Sequence, residues 1–405
     1  LLVMPHYKRE LGPFDTGMYT TVNNVFLSKH FRETLQKAIP YMLNKEFNQP
    51  TIQFDINLGN STINFIISKL KFQHIIVNNE LICIQKTVHI NVNSTTKMTF
   101  NWVLQQKQYP YLTDSGSGEL KMPYSIFESD LRSITFHKNM ELMFEQVNFV
   151  INNMELELTD LAWLTTAKKI IEERVAVELK KALPNNVRIA VPNFVEQKLR
   201  SDDYFVRYQQ PVQNVIKDER VLLGWKIQEN HLILWKSGYI YNIDSINDEF
   251  ITQDMLNDVD EIQSSYDIVY QVAKACFNNL LYIFDRYYNS YSGLHYKSTA
   301  APEIRIINKN QILITIQTNY NGSQSFEFVG EPKWREVQRK NQPITFIYFE
   351  FLQQQGEIQT EIVNKLNEQL LVNGYQINHP LPLVEAKIEL NEKDQTINLL
   401  GNIQK

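Results

Sequence analysis

The sequence of 405 residues contains only two cysteines, Cys83 and Cys276. They lie almost two hundred residues apart and form no Cys/His cluster, so the sequence gives no support for a zinc site. Both have apolar neighbours, and the commonest state of such a cysteine is a buried thiol that packs as a small hydrophobic group. A disulfide between them would have to join the two halves of the chain, and the sequence leaves that alternative open.

Glycine and proline are also scarce, with 13 and 14 residues respectively, which argues against a flexible or low-complexity protein. No stretch approaches the roughly 18 to 20 uninterrupted apolar residues that a membrane-spanning helix needs. We therefore expect a soluble chain without a transmembrane segment. The first residue is Leu1, so either a targeting segment has been removed or the sequence begins inside a longer chain.

Positive charge is not in excess, because 40 basic and 45 acidic side chains give a net charge of -5. This balance gives no electrostatic basis for binding nucleic acid. Residues 1–200 hold 22 basic and 19 acidic side chains, a net of +3, which leaves 18 and 26, a net of -8, for the rest. A net of +3 is too weak to hold lipopolysaccharide or an anionic membrane at about 1 kcal/mol per basic residue.

Signatures of catalysis are missing as well. The eight histidines are scattered without the HExxH spacing, and neither GxSxG nor the Rossmann glycine pattern occurs. The Gly-Ser-Gly sequence at 116–118 is followed by no lysine-serine pair, so we interpret it as a hairpin turn. These absences predict a protein that is not an enzyme and needs neither a cofactor nor a metal ion.

Apolar residues are plentiful, at 43% of the chain, and the length predicts two domains. Apolar side chains recur every three or four positions in four segments, which predicts amphipathic helices at 24–47, 160–183, 262–290 and 356–371.

Between residues 51 and 158 the apolar period changes to two, which predicts an antiparallel meander with a turn at Asn93–Thr95. Further strands are predicted at 303–320 and 343–352, and a closing hairpin turns at Glu392–Gln395. The second meander has fewer candidate strands than the first. The two halves therefore repeat one architecture, an amphipathic helix, a meander and a second helix, without repeating the sequence.

Two long helices and a curled sheet in each half present more apolar faces than a small domain needs to cover. A sheet that wraps around its helix without closing leaves an elongated apolar slot. Such a slot suits acyl chains, because each buried methylene contributes about 0.8 kcal/mol and needs no specific partner.

The C-terminal sequence carries a resemblance to a known family. Asn367-Glu368-Gln369-Leu370, Gly374-Tyr375 and Pro380-Leu381-Pro382, followed by the closing hairpin, are similar to the last segment of the bactericidal/permeability-increasing and lipopolysaccharide-binding proteins. Their relatives are the plasma phospholipid and cholesteryl ester transfer proteins. Ala162-Trp163-Leu164 resembles the family's Gly-Trp-Leu at the start of the second helix. The family's disulfide in the first barrel is absent, because residues 130–183 contain no cysteine.

The resemblance implies an α+β fold of two tubular barrels, each a twisted antiparallel sheet wrapped on a long amphipathic helix, joined by a central sheet. The expected domains are an N-terminal barrel at 1–195, a linker and central sheet at 196–240, and a C-terminal barrel at 241–405. It also implies non-catalytic binding or transfer of phospholipid or a similar amphipathic lipid. The family resemblance favours secretion or an endomembrane lumen, and an intracellular assembly is the alternative.

Residues expected to line the two slots share a place on the apolar stripes of the predicted helices. They are Leu35, Ile39, Met42, Ile171 and Val175 in the first barrel, and Phe277, Leu281, Phe284 and Leu366 in the second. The rival interpretation is that the barrels form a rigid structural subunit of a larger assembly with protein partners. Three observations favour it: the missing disulfide, the weak basic charge and the shorter second meander.

Overall fold

The computed structural model describes residues 17–43, 51–59, 61–84, 87–136, 139–159, 168–182, 205–208, 215–219, 221–228, 230–242, 265–289, 298–319, 321–339, 342–351, 356–379 and 381–403. These residues are mostly β-structure, and they include four helices and two curled half-barrel sheets. The chain divides into two compact units. The N-terminal unit comprises Leu27–Arg132 and Leu142–Arg200, and the C-terminal unit comprises Leu1–Phe26, Ser133–Glu141 and Ser201–Lys405. The domain boundaries expected at 195 and 240 stay predictions.

The curled sheet of the N-terminal unit is an antiparallel meander, as the alternating apolar pattern predicts. Its strands are β2 (Ile52–Asn57), β3 (Thr62–Ile84), β4 (Thr87–Gln106), β5 (Thr113–Phe136) and β6 (Asn139–Leu158), hydrogen-bonded in that order. The turn expected at Asn93–Thr95 is wrong, because these residues continue β4 and pair with both neighbouring strands.

Bulges bend the long strands of this sheet. The register between β3 and β4 shifts at Ser68/Lys71 and at Phe72/His74, and that between β4 and β5 shifts at Ser94/Thr96. A bulge places an additional residue in one strand, bends it and increases its twist. After each bulge, the pairing again places the apolar side chains of the two strands opposite each other on the same face of the sheet, as in Leu81 and Ile90. The sheet therefore keeps one inner face along its whole curved length.

The glycines at 116 and 118 lie inside β5, so their interpretation as a hairpin turn is wrong. Gly116 pairs with Trp102 and Gly118 pairs with Phe100 across the ladder to β4. A Cβ atom on Gly116 would lie 2.8 Å from the Trp102 ring, and one on Gly118 would lie 2.4 Å from the Phe100 ring. Glycine is required here because the aromatic ring of the partner strand covers its backbone.

Two helices accompany this sheet, α1 (Asn24–Met42) and α2 (residues 168–182). The side chain of Asn23 caps α1, since its Oδ1 accepts the Phe26 N–H at 2.9 Å. The predicted α1 extends to residue 47, but residues 44–50 lie outside the described ones. The predicted second helix includes residues 160–167, which also lie outside them, together with Ala162-Trp163-Leu164.

The C-terminal unit contains a six-stranded and a three-stranded sheet. Its strands up to β12 are β1 (Met18–Asn23), β7 (Phe205–Arg207), β8 (Val215–Asp218), β9 (Val221–Gln228), β10 (His231–Lys236), β11 (Ile240–Asn242) and β12 (Ile268–Ala273), and the closing hairpin is β18 (Leu383–Asn391) and β19 (Thr396–Ile403). The orders are β18-β19-β12-β1-β10-β9 and β11-β8-β7. The predicted closing hairpin is confirmed.

The helix expected at 262–290 is wrong in its first part. Residues 268–273 form β12, whose six side chains are all buried, and α3 (Lys274–Asn289) follows directly. A short apolar run buried on all sides has no period that separates strand from helix. β1 runs straight into α1 in the same way, and β1 pairs with β12.

The second curled sheet lies in the C-terminal unit and also has five strands. They are β13 (Glu303–Ile306), β14 (Ile312–Thr318), β15 (Gln324–Arg339), β16 (Gln342–Phe351) and β17 (Tyr375–Asn378) in that order, with α4 (Glu357–Asn373) between β16 and β17. In the described chain, four of these strands lie between α3 and α4, against five between α1 and the second helix of the N-terminal unit, which agrees with the expected shorter second meander. The sequence analysis predicts no strand at β15, which contains Pro332; proline is tolerated there because the pairing of β15 with β14 ends at Gly330.

Candidate functional site

The inner face of the N-terminal sheet has a covered half, formed by the ends of the strands near β2. The apolar stripe of α2 lies against it, and Ile171, Val175 and Leu179 are at most 1% exposed. They belong to one buried cluster with sheet residues that include Phe65, Phe100, Trp102 and Leu104. The Glu172 carboxylate also accepts the Leu158 N–H of β6 at 2.9 Å. This half of the inner face is a packed core.

Helix α1 runs beside the part of β3 that extends past β2. Near its start, the Ser28 hydroxyl bonds both backbone groups of Leu81, accepting from the N–H at 3.0 Å and donating to the carbonyl at 2.9 Å. Just after its end, Leu43 forms a parallel bridge with Phe72. α1 is therefore attached to β3 at both ends, and its residues between them are half-buried or exposed wherever the structure describes their side chains.

Between these helices lies a part of the inner face that is less covered. The pairing register places Val77 beside Ser94 and Ser125, and Asn79 beside Val92 and Phe127. We call these six residues the open stripe. Its apolar members, Val77, Val92 and Phe127, are only half-buried, whereas the corresponding side chains of the covered half are almost fully buried. The open stripe therefore exposes apolar surface inside a curled sheet.

No side chain of the open stripe carries a charge. Three of its members are polar, Asn79 on β3, Ser94 on β4 and Ser125 on β5, and we call these three the polar band. The hydroxyls of Ser94 and Ser125 lie 2.7 Å apart, and the Asn79 Nδ2 donates to the Ser28 carbonyl of α1 at 3.2 Å. On α1, burial lowers the pKa of His30 and the Lys37 charge lowers it further, which favours the neutral imidazole.

The residues predicted to line the first slot have different positions. Ile171 and Val175 lie in the packed core of the covered half, and Ile39 is half-buried near the end of α1. The side chains of Leu35 and Met42 lie outside the described ones. Lipid contact by these residues stays a prediction.

Sequence reasoning missed the polar band. The signal was available, because Asn79 is in phase with Val77, Leu81 and Cys83, and Ser94 is in phase with Val92. A polar residue at the inward position of an otherwise apolar strand needs a partner.

The residues predicted for the second slot lie in a closely packed interior. Phe277, Leu281 and Phe284 of α3 and Leu366 of α4 are at most 3% exposed. The Phe277 ring lies 5.4 Å from that of Phe349 and 4.9 Å from that of Tyr375. The inner faces of the strands are buried to a similar degree, as shown by Ile304, Ile306, Ile312, Ile314, Ile316, Phe328, Phe349 and Phe351. Lipid contact here also stays a prediction.

A group of buried charges borders this interior at Tyr375. The Lys217 ammonium, fully buried, donates to Glu219 at 2.9 Å and to the Gln376 carbonyl at 2.7 Å, and lies 4.5 Å from the centre of the Tyr375 ring. Burial alone would raise the pKa of Glu219, but the Lys217 and Lys236 charges outweigh it and lower the pKa. The three partners of Lys217 match the three protons of an ammonium group, so we assign this group a structural role.

Neither cysteine is suited to nucleophilic chemistry. Both are buried thiols that form no disulfide, and burial raises the pKa of each thiol to about 12. Among the described residues, no three His, Cys, Asp or Glu side chains come together as a metal site would require. In that part of the chain, no helix is both long and apolar enough to cross a bilayer.

Comparison with known proteins gives similarities of structure alone. No family model matches the chain, and no curated protein matches it in sequence. The structure is similar to a crystal structure of lipopolysaccharide binding protein, with a TM-score of 0.46, 10% identity, and coverage of 96% of this chain and 99% of that one. It is also similar to Takeout 1 of Epiphyas postvittana, with a TM-score of 0.24, 13% identity, and coverage of 42% and 88%. The function therefore has to be inferred from the chain's own residues.

Proposed function

We propose that the chain binds phospholipid or a similar amphipathic lipid without catalysis, with an acyl chain along the open stripe of the N-terminal unit. The observation that carries the proposal is the half-exposed, uncharged apolar surface of Val77, Val92 and Phe127 inside a curled sheet. Each methylene that covers such a surface contributes about 0.8 kcal/mol. The ligand's polar head group would lie outside the stripe, where water can reach it.

The flanking helix supports this arrangement. α1 is attached to β3 at Leu81 and Phe72, nine residues apart, and extended chain of that length covers about 30 Å. A saturated chain of 16 to 18 carbons is shorter than this distance. The interval along β3 between the two attachments is therefore long enough for one acyl chain lying parallel to α1.

The test is a matched pair of variants on neighbouring residues of β3. Val77 faces inward on the open stripe, whereas Ile76 faces outward and is 52% exposed. Val77→Trp should weaken binding of a fluorescent 16-carbon fatty acid at least about tenfold, because the indole fills the space of several methylenes. Ile76→Trp should leave binding unchanged. Equal binding by the two variants, or its absence from the wild-type protein, would overturn the proposal.

A second candidate function is that of a structural subunit. It is favoured by the C-terminal unit, where α3 and α4 cover their sheet with side chains that are at most 3% exposed. Native mass spectrometry of the purified protein, followed by lipid extraction, separates the two candidates. Stoichiometric lipid supports binding, and a protein that is lipid-free and also takes up none when lipid is offered supports the structural role.

A further inference from the structure

Resting on the proposed function, we infer that the bound lipid carries a neutral hydrogen-bond donor, a hydroxyl or an amide N–H, on the part of its chain that crosses the polar band. The acceptor is the Oδ1 atom of Asn79. The inference follows from three features of the band: an acceptor without a partner, a pair of serines whose protons are already used, and the absence of charge.

The orientation of the Asn79 amide is fixed by its contact with α1. Its other polar atom lies 3.2 Å from the Ser28 carbonyl oxygen, which can only accept, so that atom must be the donating Nδ2. The Oδ1 atom is consequently on the other side of the amide. Asn79 is only 7% exposed, and its Oδ1 accepts no hydrogen bond from the described part of the chain.

Such an acceptor is costly unless a ligand satisfies it. The neighbouring inward positions on β3 are Val77 and Leu81, so an apolar side chain at position 79 would continue the lining. A buried carbonyl oxygen without a donor loses the hydrogen bond that water gives it in the unfolded chain. An apolar lining would be expected if the ligand were a plain hydrocarbon chain along its whole length.

The two serines extend the same acceptor character across the sheet. The Ser125 hydroxyl lies 3.3 Å from the Ser94 carbonyl oxygen, to which it donates. Either hydroxyl can be the donor across the 2.7 Å contact, and with Ser125 donating to the carbonyl, Ser94 donates to Ser125. In this arrangement both serine protons are used, and the half-buried Ser94 oxygen keeps a free lone pair. The band therefore offers oxygen acceptors to a ligand.

This pattern selects among amphipathic lipids. Ester carbonyls and phosphodiesters only accept hydrogen bonds, so they do not complement the band. A hydroxyl on the chain, or an amide that joins the chain to its head group, supplies the missing donor. An ionised group is disfavoured, because no charged side chain lies on the stripe to compensate its desolvation.

The experiment measures dissociation constants for three kinds of fatty acid of equal length by displacement of the fluorescent probe. They are octadecanoic acid, hydroxyoctadecanoic acids substituted at carbon 2, 7 or 12, and the corresponding O-methyl ethers. At least one hydroxy acid should bind about tenfold more tightly than octadecanoic acid, whereas its methyl ether, which cannot donate, should lose this preference.

A matched pair of variants identifies the acceptor. Asn79→Leu should abolish the preference for the hydroxy acid and retain binding of octadecanoic acid. Asn78→Leu, one residue away on the outer face, should keep the preference. Circular dichroism shows whether both variants are folded. The comparison of the hydroxy acid with its methyl ether uses the wild-type protein, so it tests the inference even if a variant does not fold.

The outcomes separate the inference from the function on which it rests. Three results would overturn the inference and leave lipid binding intact. All three kinds of acid bind equally, the methyl ether binds as tightly as the hydroxy acid, or the preference for the hydroxy acid survives Asn79→Leu. Failure of the wild-type protein to bind any of the acids overturns the proposed function and the inference together.

Discussion

The two curled sheets share a five-stranded antiparallel order but differ in how completely their inner faces are covered. In the C-terminal unit, Phe277 and Phe284 of α3 are 1% exposed, and the Phe277 ring lies 5.4 Å from that of Phe349 in β16. In the N-terminal unit, α2 covers one half of the face, and Val92 and Phe127 in the other half stay half-buried. The same architecture therefore yields a closed core in one unit and an uncovered apolar surface in the other.

The difference teaches that a helix beside a sheet does not by itself determine whether a slot is present. α3 begins directly after a strand in the middle of a six-stranded sheet and is buried on most of its surface. α1 also begins directly after a strand, but beyond it α1 is attached to an edge of β3 through Ser28 and Leu43. Attachment at an edge leaves the middle of the inner face only partly covered.

The largest expected effect concerns the packing of the two units. Phe277→Ala should lower the free energy of unfolding of the C-terminal unit by about 3–5 kcal/mol, because it removes a ring buried between two other rings and leaves a cavity. Phe127→Ala should cost the N-terminal unit about 1 kcal/mol, because its ring is already partly exposed. Urea unfolding followed by circular dichroism, with limited proteolysis to assign the unit, measures both. If the two variants lose similar free energies of unfolding, the inner faces of the two sheets do not differ in how closely they are packed.

The second prediction concerns acid, and it should affect the C-terminal unit first. His379 on the β17 side of that unit is fully buried, with its Nε2 atom 2.9 Å from the Thr345 hydroxyl and 3.6 Å from a Glu336 carboxylate oxygen. Burial lowers its pKa to about 4, although the Glu219 charge acts in the opposite direction. The folded state then binds fewer protons than the unfolded state between about pH 6.5 and pH 4.

The sign of the effect follows from that difference in protons. The contribution of His379 to stability is complete above about pH 6.5 and falls by about 3 kcal/mol as the pH approaches 4. Hydrogen exchange should therefore accelerate in β16 and β17 over this range before it does in β3 and β4. His379→Gln should flatten the response of the C-terminal unit, and an unchanged pH profile in that variant would contradict the assignment.

The sequence predicts the order of helices and strands more readily than it predicts how deeply each of their faces is buried. The alternation of Ile52, Phe54 and Ile56 predicts a strand, and the spacing of Ile171, Val175 and Leu179 predicts the stripe of α2. Ile171 is 0% exposed, whereas Val92 is only half-buried. This difference depends on which helices cover which part of the sheet, and the spacing of apolar residues within one strand or helix does not predict it. Asn79, Ser94 and Ser125 lie on the same face of the sheet because of bulges in the strands. A bulge changes which residues of a strand point inward, and the amino-acid composition of the strand does not reveal it.

Pro332 and Gly116 illustrate the same difficulty for single residues. Proline is acceptable in β15 because the pairing with β14 ends at Gly330. Glycine is required in β5 because the Trp102 ring lies over Gly116. Both residues are typical of turns in isolation. Only the partner strand decides that they belong to strands here.

The smallest expected effect compares the same enlargement in the two units. Leu281→Trp places a larger ring in a core where Leu281 is 2% exposed, and overpacking of this kind costs about 1–3 kcal/mol. Val92→Trp places the ring on the open stripe, where it should cover the apolar side chains that a ligand would cover, so the free energy of unfolding should change by less than about 1 kcal/mol. Thermal unfolding of the lipid-free proteins measures both changes. If Val92→Trp is destabilised as strongly as Leu281→Trp, the stripe has no room for an acyl chain, and the two sheets are closed to the same extent.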